Sequence, residues 1–277
     1  MYTVARGRNK HVYPSRMPGS GKSAVTIGII EAAEYMFLPF IAKKLREKGY
    51  HVEITVYKEG LTLTRHIAEG LIDLGYSPLI TQLMYYRFNP SYKVVYGGVY
   101  GGAGIVVNSR SNTNLGGSTP ISTMEACLKA YDQSMPVKYY YGGEEILEAL
   151  AKGEIKVAAI WEPYLTQALK MGFKLESRCS ELIAPYCCTL AVNKSFIEKE
   201  PDVKIIVEKS MEDYKRNPLR MASWYARLVR TPVSLLKKIY RSYTPSWEVD
   251  KGEVYRMLRK TGVELPSPQM MLEAIQT

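Results

Sequence analysis

The chain has 277 residues, a net charge of +10, 46% hydrophobic and 23% charged side chains. That length allows one large or two modest domains, and that apolar share excludes bulk disorder. No apolar run is long enough to span a bilayer as a helix.

In chain order, residues 1–23 come first. They carry five basic side chains (Arg6, Arg8, Lys10, Arg16 and Lys22), no acid, and the breakers Gly7, Pro14, Pro18, Gly19 and Gly21. They read as a disordered basic tail. They hold no apolar h-region of a secretory signal. As written, the chain therefore reads as cytoplasmic, or as extracytoplasmic if its start is truncated or misassigned. Pro18 to Ser23 (PGSGKS) imitates the end of a phosphate-binding loop. Arg16 stands where that loop needs its first glycine, and no buried strand precedes it.

From Ala24 onward short apolar runs alternate with helical periods. Residues 25–30 (VTIGII) predict a buried strand, 37–48 a helix closed by Gly49, and 51–57 (HVEITVY) an alternating strand. Residues 62–69 predict a helix ending at Gly70, 71–76 a short strand, and Pro78 the first turn of another helix. Strands follow at 93–96 and 104–108 around a glycine-rich bend. A second unit has strand and turn at 115–119, helix at 120–131, strand at 137–141, helix at 144–152, strand at 155–161 and helix at 163–171. Strands at 173–176 and 187–192 follow. From Lys194 the chain predicts helices punctuated by Pro201, Pro218, Pro232 and Pro245. Repeated βαβ order implies mixed, mostly parallel sheets with helices on both faces.

Residues 24–193 balance 16 basic against 16 acidic side chains, and residues 194–277 carry 16 against 11. The charge excess thus belongs to a tail and to helix faces. No basic-plus-aromatic module accompanies it, so no nucleic-acid partner is expected. The four cysteines, Cys127, Cys179, Cys187 and Cys188, match no CxxC or zinc-finger spacing. A disulfide framework is not needed at this size. Cys187 and Cys188 read as small apolar residues on opposite faces of a buried strand, with a metal or redox role as the alternative. His51 and His66 lack metal-ligand spacing and read as structural or solvent-facing.

Several stretches then fall in a recognisable order: Ile27-Gly28, Pro39 to Lys44 (PFIAKK), Gly49 to Ile54 (GYHVEI), Glu69 to Gly75 (EGLIDLG), and above all Ala149 to Tyr164 (ALAKGEIKVAAIWEPY). Over residues 25–218 they resemble type II periplasmic, or solute-binding, proteins of ABC importers. The branch they resemble takes nitrate, taurine, aliphatic sulfonates and thiamine-pyrimidine precursors. The resemblance implies a two-lobed α/β fold with a ligand cleft between the lobes. Lobe one would be residues 24–108 plus 190–277, and lobe two 109–189. The crossings would lie near Val107-Asn108 and Leu190 to Val192. It implies a small organic solute, anionic or aromatic, held by hinge closure, and an ABC permease as partner. The same fold also serves cytoplasmic enzymes of thiamine-pyrimidine-precursor and menaquinone-precursor biosynthesis, which is the alternative. No Ser/His/Asp set, paired-carboxylate motif or GxSxG is visible, so no catalytic residue, metal or cofactor is assigned, and a monomer is expected.

Ligands of open α/β sheets bind beyond the carboxyl ends of strands. That rule selects Glu31, Ala33 and Tyr35 after the first strand. Gly60 and Thr62 follow at a helix start with N–H groups suited to an anion. Ser77 comes next, where helix cap and ligand contact are equally open, and then Tyr100 in the glycine run. Gly117, Ser118 and Thr119 form the best anion cradle ahead of Pro120. Gly142, Gly143, Trp161, Glu162 and Tyr186 complete the set, with Trp161 as an aromatic wall and Glu162 as an acceptor.

Overall fold

The computed structural model describes residues 4–6, 23–183, 187–245, 249–261 and 267–275. Their strands form two sheets. The first has seven strands in the order β1 (Val4–Arg6), β3 (His51–Tyr57), β2 (Ala24–Ile30), β4 (Leu74–Pro78), β11 (Cys188–Asn193), β5 (Tyr92–Gly101) and β12 (Tyr243–Pro245). The second has five, in the order β10 (Lys174–Arg178), β6 (Ala103–Val107), β9 (Val157–Trp161), β7 (Gly116–Ser118) and β8 (Val137–Tyr139). Both sheets are mixed. β1 through β4 pair in parallel, whereas β11 runs antiparallel to both β4 and β5. In the second sheet β7, β8 and β9 are parallel, while β6 and β10 run against their neighbours.

β2 forms because its apolar run can be covered on both faces by helices. The amphipathic α1 (Leu38–Glu47) buries Phe40, Ile41 and Leu45, and α2 (Gly60–Ala68) buries Leu63 and Ile67. Asp73, just ahead of β4, pins the pair: its Oδ2 accepts from the Thr26 N–H at 2.8 Å and the Thr26 hydroxyl at 2.9 Å. α1 in turn lies against α9 (Val203–Arg216), through Phe37 and Phe40 on Tyr214 and a Lys44–Asp213 ion pair at 2.7 Å. From Lys194 the described residues are mainly helices, as expected, with one exception. β12 adds to β5 and ends the sheet.

Four features differ from the expectation. Val4–Arg6, within the stretch read as a disordered tail, adds to the exposed edge of β3 with Val4 opposite Ile54. The rest of that stretch, and the loop-like PGSGK within it, lies outside the described residues. The chain changes sheets at Gly101 and Gly102 rather than at residues 107–108, so β6 belongs wholly to the second sheet. Both glycines are left-handed, with φ of 97° and 66°. A side chain at either would overlap the Ser242 carbonyl or the Tyr243 ring, which is why the crossing needs glycine there. The return crossing lies between α7 (Cys179–Leu182) and β11, which places Leu190 to Val192 inside the first sheet. Finally, Cys127 of α4 (Thr123–Tyr131) and Cys179 of α7 form a disulfide across a separation of 52 residues. No spacing rule in the sequence announced it.

A buried polar network ties four elements together under the cleft floor. Gln82 of α3 (Leu79–Tyr86) donates to the Thr189 carbonyl at 2.8 Å and the Ser77 hydroxyl at 3.0 Å, and accepts from the Thr189 hydroxyl at 2.5 Å. Thr64 donates to Ser77 at 2.8 Å. Every member is buried. Gln82→Leu strands several of these groups at once and is expected to lower stability by about 2–4 kcal/mol in a urea titration. A loss under about 0.5 kcal/mol, the scale of a neutral surface change, would show the network to be dispensable.

Candidate functional site

A cleft opens where the two sheets face each other. From the first lobe it is lined by Ile30, Ala32, Glu34 and Tyr35 after β2, by Lys58, Glu59 and Gly60 after β3, by Pro78 at the end of β4, and by Cys187 and Cys188 at the start of β11. The second lobe contributes Thr119, Ser122, Thr123 and Met124 around the start of α4, and Trp161 at the end of β9. Apart from the cysteines at the start of the antiparallel β11, these are carboxyl ends of parallel strands and adjoining helix starts, the location that topology favours for a ligand.

The two lobes touch across this cleft. Trp161 donates its indole Nε1–H to the Glu31 carbonyl at 3.1 Å. The Ala33 N–H donates to the Glu162 carbonyl at 3.0 Å. The Thr81 hydroxyl donates to the Ile121 carbonyl at 2.5 Å. Lys58 lies 3.1 Å from a Glu31 oxygen and 3.4 Å from Glu144 at the start of α5 (Gly143–Ala151). Burial pushes the Lys58 pKa down, but those two carboxylates push it up by more.

Of the residues expected at a ligand, the structure brings Tyr35, Gly60, Thr119 and Trp161 to the cleft wall. Glu31 and Ala33 join the lobes instead through main-chain atoms, and the Glu31 side chain pairs with Lys58 of its own lobe. Tyr186 lies outside the described residues. The others serve the fold. Thr62 donates its N–H to Glu59, Ser77 belongs to the buried network, and Tyr100 pairs with Thr244 of β12. Gly117 and Ser118 are ladder residues of β7. Gly142 precedes α5 as its N-cap, and Gly143 packs its backbone against the Tyr164 ring. Glu162 turns away from the cleft to accept from the Thr166 N–H at 3.0 Å and hydroxyl at 2.8 Å, and burial raises its pKa.

The anion cradles read from the sequence differ for one shared reason. Acids of the chain itself sit at several of the helix starts around the cleft. Glu59 accepts from the N–H groups of Leu61 at 2.6 Å and Thr62 at 2.9 Å, which occupies the start of α2. The helix expected at Pro120 begins at Thr123. Ser122 caps it, accepting from the Glu125 N–H at 3.1 Å, while Glu125 accepts from the Ile121 N–H at 2.7 Å. Glu145 accepts from the Tyr141 N–H ahead of α5 at 3.1 Å, and Glu162 serves α6 (Tyr164–Lys170). At α2 and α4 the N–H groups that would attract an external anion are taken internally, and at α5 Glu144 and Glu145 in the first turn oppose one.

The most unusual part of the wall brings Glu34 against the vicinal cysteines, a juxtaposition that nothing local in the sequence shows. Glu34 is 3% exposed, and its Oε1 has no hydrogen-bond partner. Burial pushes its pKa up to about 8, which the neighbouring Tyr35 hydroxyl and the two thiols oppose only in part. The ligating atoms of Glu34, Cys187 and Cys188 lie within 4.8 Å of one another. The expectation that Cys187 and Cys188 point to opposite faces does not hold, because β11 begins only at Cys188. Cys187 sits on the bend before it, and the two sulfurs are 4.0 Å apart. Burial drives the Cys188 thiol well above its ordinary value. Cys187 is raised as well: the Cys188 contact lowers it, but burial and Glu34 outweigh that.

No protein-family model and no curated protein sequence matches the chain. Solved structures do. The chain is similar to the ligand-binding component of an ABC-type import system from Staphylococcus aureus with zinc bound, at 16% identity and a TM-score of 0.70, over 91% of this chain and 99% of that one. It is similar to the alkanesulfonate-binding protein SsuA from Xanthomonas axonopodis bound to MOPS, at 14% identity and a TM-score of 0.75, over 93% and 99%. The periplasmic nitrate-binding protein NrtA from Synechocystis follows, at 12% identity and a TM-score of 0.70, over 91% and 84%. The chain therefore has the two-lobed fold of the type II periplasmic binding proteins.

Proposed function

We propose that the protein binds a small organic solute between its lobes and serves as the substrate-binding component of an ABC-type importer. The observation that carries this reading is the cleft itself. Both lobes line it at strand carboxyl ends, and hydrogen bonds from Trp161, Ala33 and Thr81 hold the lobes together around it. The fold shared with binding proteins of ABC importers agrees with it. The Cys127–Cys179 bond supports an oxidising compartment outside the cytoplasm, where such receptors work.

The solute is a neutral or cationic compound with an apolar or aromatic body, rather than a free oxyanion. The helix starts already hold Glu59, Glu125 and Glu145, and Lys58 is engaged by two carboxylates. Ile30, Pro78, Met124, Tyr35 and Trp161 offer apolar and aromatic surface, while Thr119, Ser122 and Thr123 offer hydroxyls. Binding acts by hinge closure, because a ligand that touches both lobes favours the closed state by its difference in affinity.

Native mass spectrometry of the freshly purified protein identifies what it carries. X-ray scattering with and without that compound is expected to show a smaller radius of gyration when it is bound. Trp161→Ala removes the aromatic wall and an interlobe hydrogen bond, and is expected to weaken binding by about 30-fold or more. An unchanged radius with a tightly bound ligand would overturn hinge closure. Tighter binding of a simple sulfonate or nitrate than of any neutral compound would overturn the ligand class.

A further inference from the structure

We infer that Glu34, Cys187 and Cys188 form a three-donor site for a thiophilic closed-shell cation of the zinc class, set in the cleft wall with its fourth position toward the ligand space. The site shares the cleft wall with the solute but rests on its own donors rather than on the solute reading.

Three observations carry it. The donors converge from two separate elements: Glu34 from the loop between β2 and α1, and the cysteines from the start of β11. Their ligating atoms lie within 4.8 Å of one another. The two sulfurs are 4.0 Å apart. Zinc–sulfur bonds of about 2.3 Å at a tetrahedral angle require about 3.8 Å between sulfurs, so only a small adjustment is needed. The backbone holds them there, since the Cys187 carbonyl accepts from the Leu79 N–H at 3.3 Å and the Thr123 hydroxyl at 2.9 Å.

The second observation is the Glu34 side chain. A buried carboxyl oxygen with no hydrogen-bond partner is costly, and a cation would supply what it lacks. It is aimed at the cysteines and lines the same cleft wall. The third is donor chemistry. Two thiols and one carboxylate favour a borderline-soft ion over magnesium or calcium, which prefer all-oxygen shells. Three protein donors leave one coordination position open, as in zinc sites that bind an exchangeable group. The other two cysteines cannot contribute, because they are paired with each other.

The test uses the full chain, stripped of metal by chelation and kept under a mild reductant, with two free thiols counted after denaturation. Titration with cobalt(II) is expected to give one ion per chain, a thiolate-to-cobalt charge-transfer band, and tetrahedral d–d bands that zinc(II) displaces. Cys187→Ser and Cys188→Ser should each abolish or strongly reduce the charge-transfer band. Glu34→Gln keeps the shape of the side chain and should weaken zinc binding by about tenfold or more, the scale of losing even an outer partner of a metal ligand. Circular dichroism and the mass of the intact Cys127–Cys179 bond establish that each variant is folded. No charge-transfer band in the folded parent, an equal band in both cysteine variants, or a disulfide between Cys187 and Cys188 as the resting state under these conditions would each overturn the site. None of these outcomes bears on solute binding, which is read from released ligand and scattering.

Discussion

Reduction of the Cys127–Cys179 bond is expected to lower stability by about 4 kcal/mol, from the loss of a cross-link that restrains the unfolded chain. The bond closes a loop over a separation of 52 residues. Inside it lie β8, α5, β9, α6 and β10, so it ties the start of this lobe's second half to its end. Both cysteines are buried, at 0% and 5% exposure, and little reorganisation offsets the loss. Urea unfolding with and without strong reductant measures it. The midpoint should fall, and the slope should rise because an uncrosslinked unfolded state exposes more surface. Cys127→Ala with Cys179→Ala should reproduce the shift in the absence of reductant. An unchanged midpoint would mean that packing of α4 on α7 carries the lobe alone. A large shift would mean that the protein reaches full stability only where disulfides persist.

The elements that could be read from the sequence are those whose evidence is local. β3 was expected at residues 51–57 and forms over His51–Tyr57, because HVEITVY alternates and glycine stops the helix before it. Crossing points and caps were less legible, since they depend on what lies opposite. The glycine run was visible as a bend, yet nothing local says that Ser242 and Tyr243 occupy the space beside Gly101 and Gly102. The start of α4 did have a signal. Ser122 followed by Glu125 is a capping-box spacing, and it overrides the proline at position 120.

The ligand wall divides in the same way. Tyr35, Gly60, Thr119 and Trp161 follow from counting residues past strand ends, and they line the cleft. Ser77, Gly117 and Glu162 pass the same count, but their polar atoms are used by neighbours that are distant in sequence or folded back upon them. Position along a strand predicts nearness to the cleft, not the direction of a side chain. Glu34 is the converse. It stands one residue before Tyr35, and only the tertiary packing around it makes it a buried acid.

That burial makes the fold sensitive to the charge state of Glu34. The metal-free protein is expected to lose stability as pH rises from about 5 to 8, by on the order of 4 kcal/mol from this side chain alone. The folded state holds the Glu34 proton up to about 8, while the unfolded chain releases it near 4.5. Below the lower value both states are protonated, and the contribution is fully present. Between the two values only the unfolded state has ionised, so each rise in pH favours unfolding. Above the upper value the loss is complete and no longer changes. Glu34→Gln resembles the neutral acid and cannot ionise. It should match the parent within about 1 kcal/mol at pH 5 and exceed it by about 3–4 kcal/mol at pH 8.5, after allowance for an amide that must find its own partner. Urea titrations of both proteins at the two pH values, with chelator present, decide the matter. Parallel pH profiles for parent and variant would mean that water or a cation reaches the carboxylate, and that the cleft wall is more open than its packing indicates.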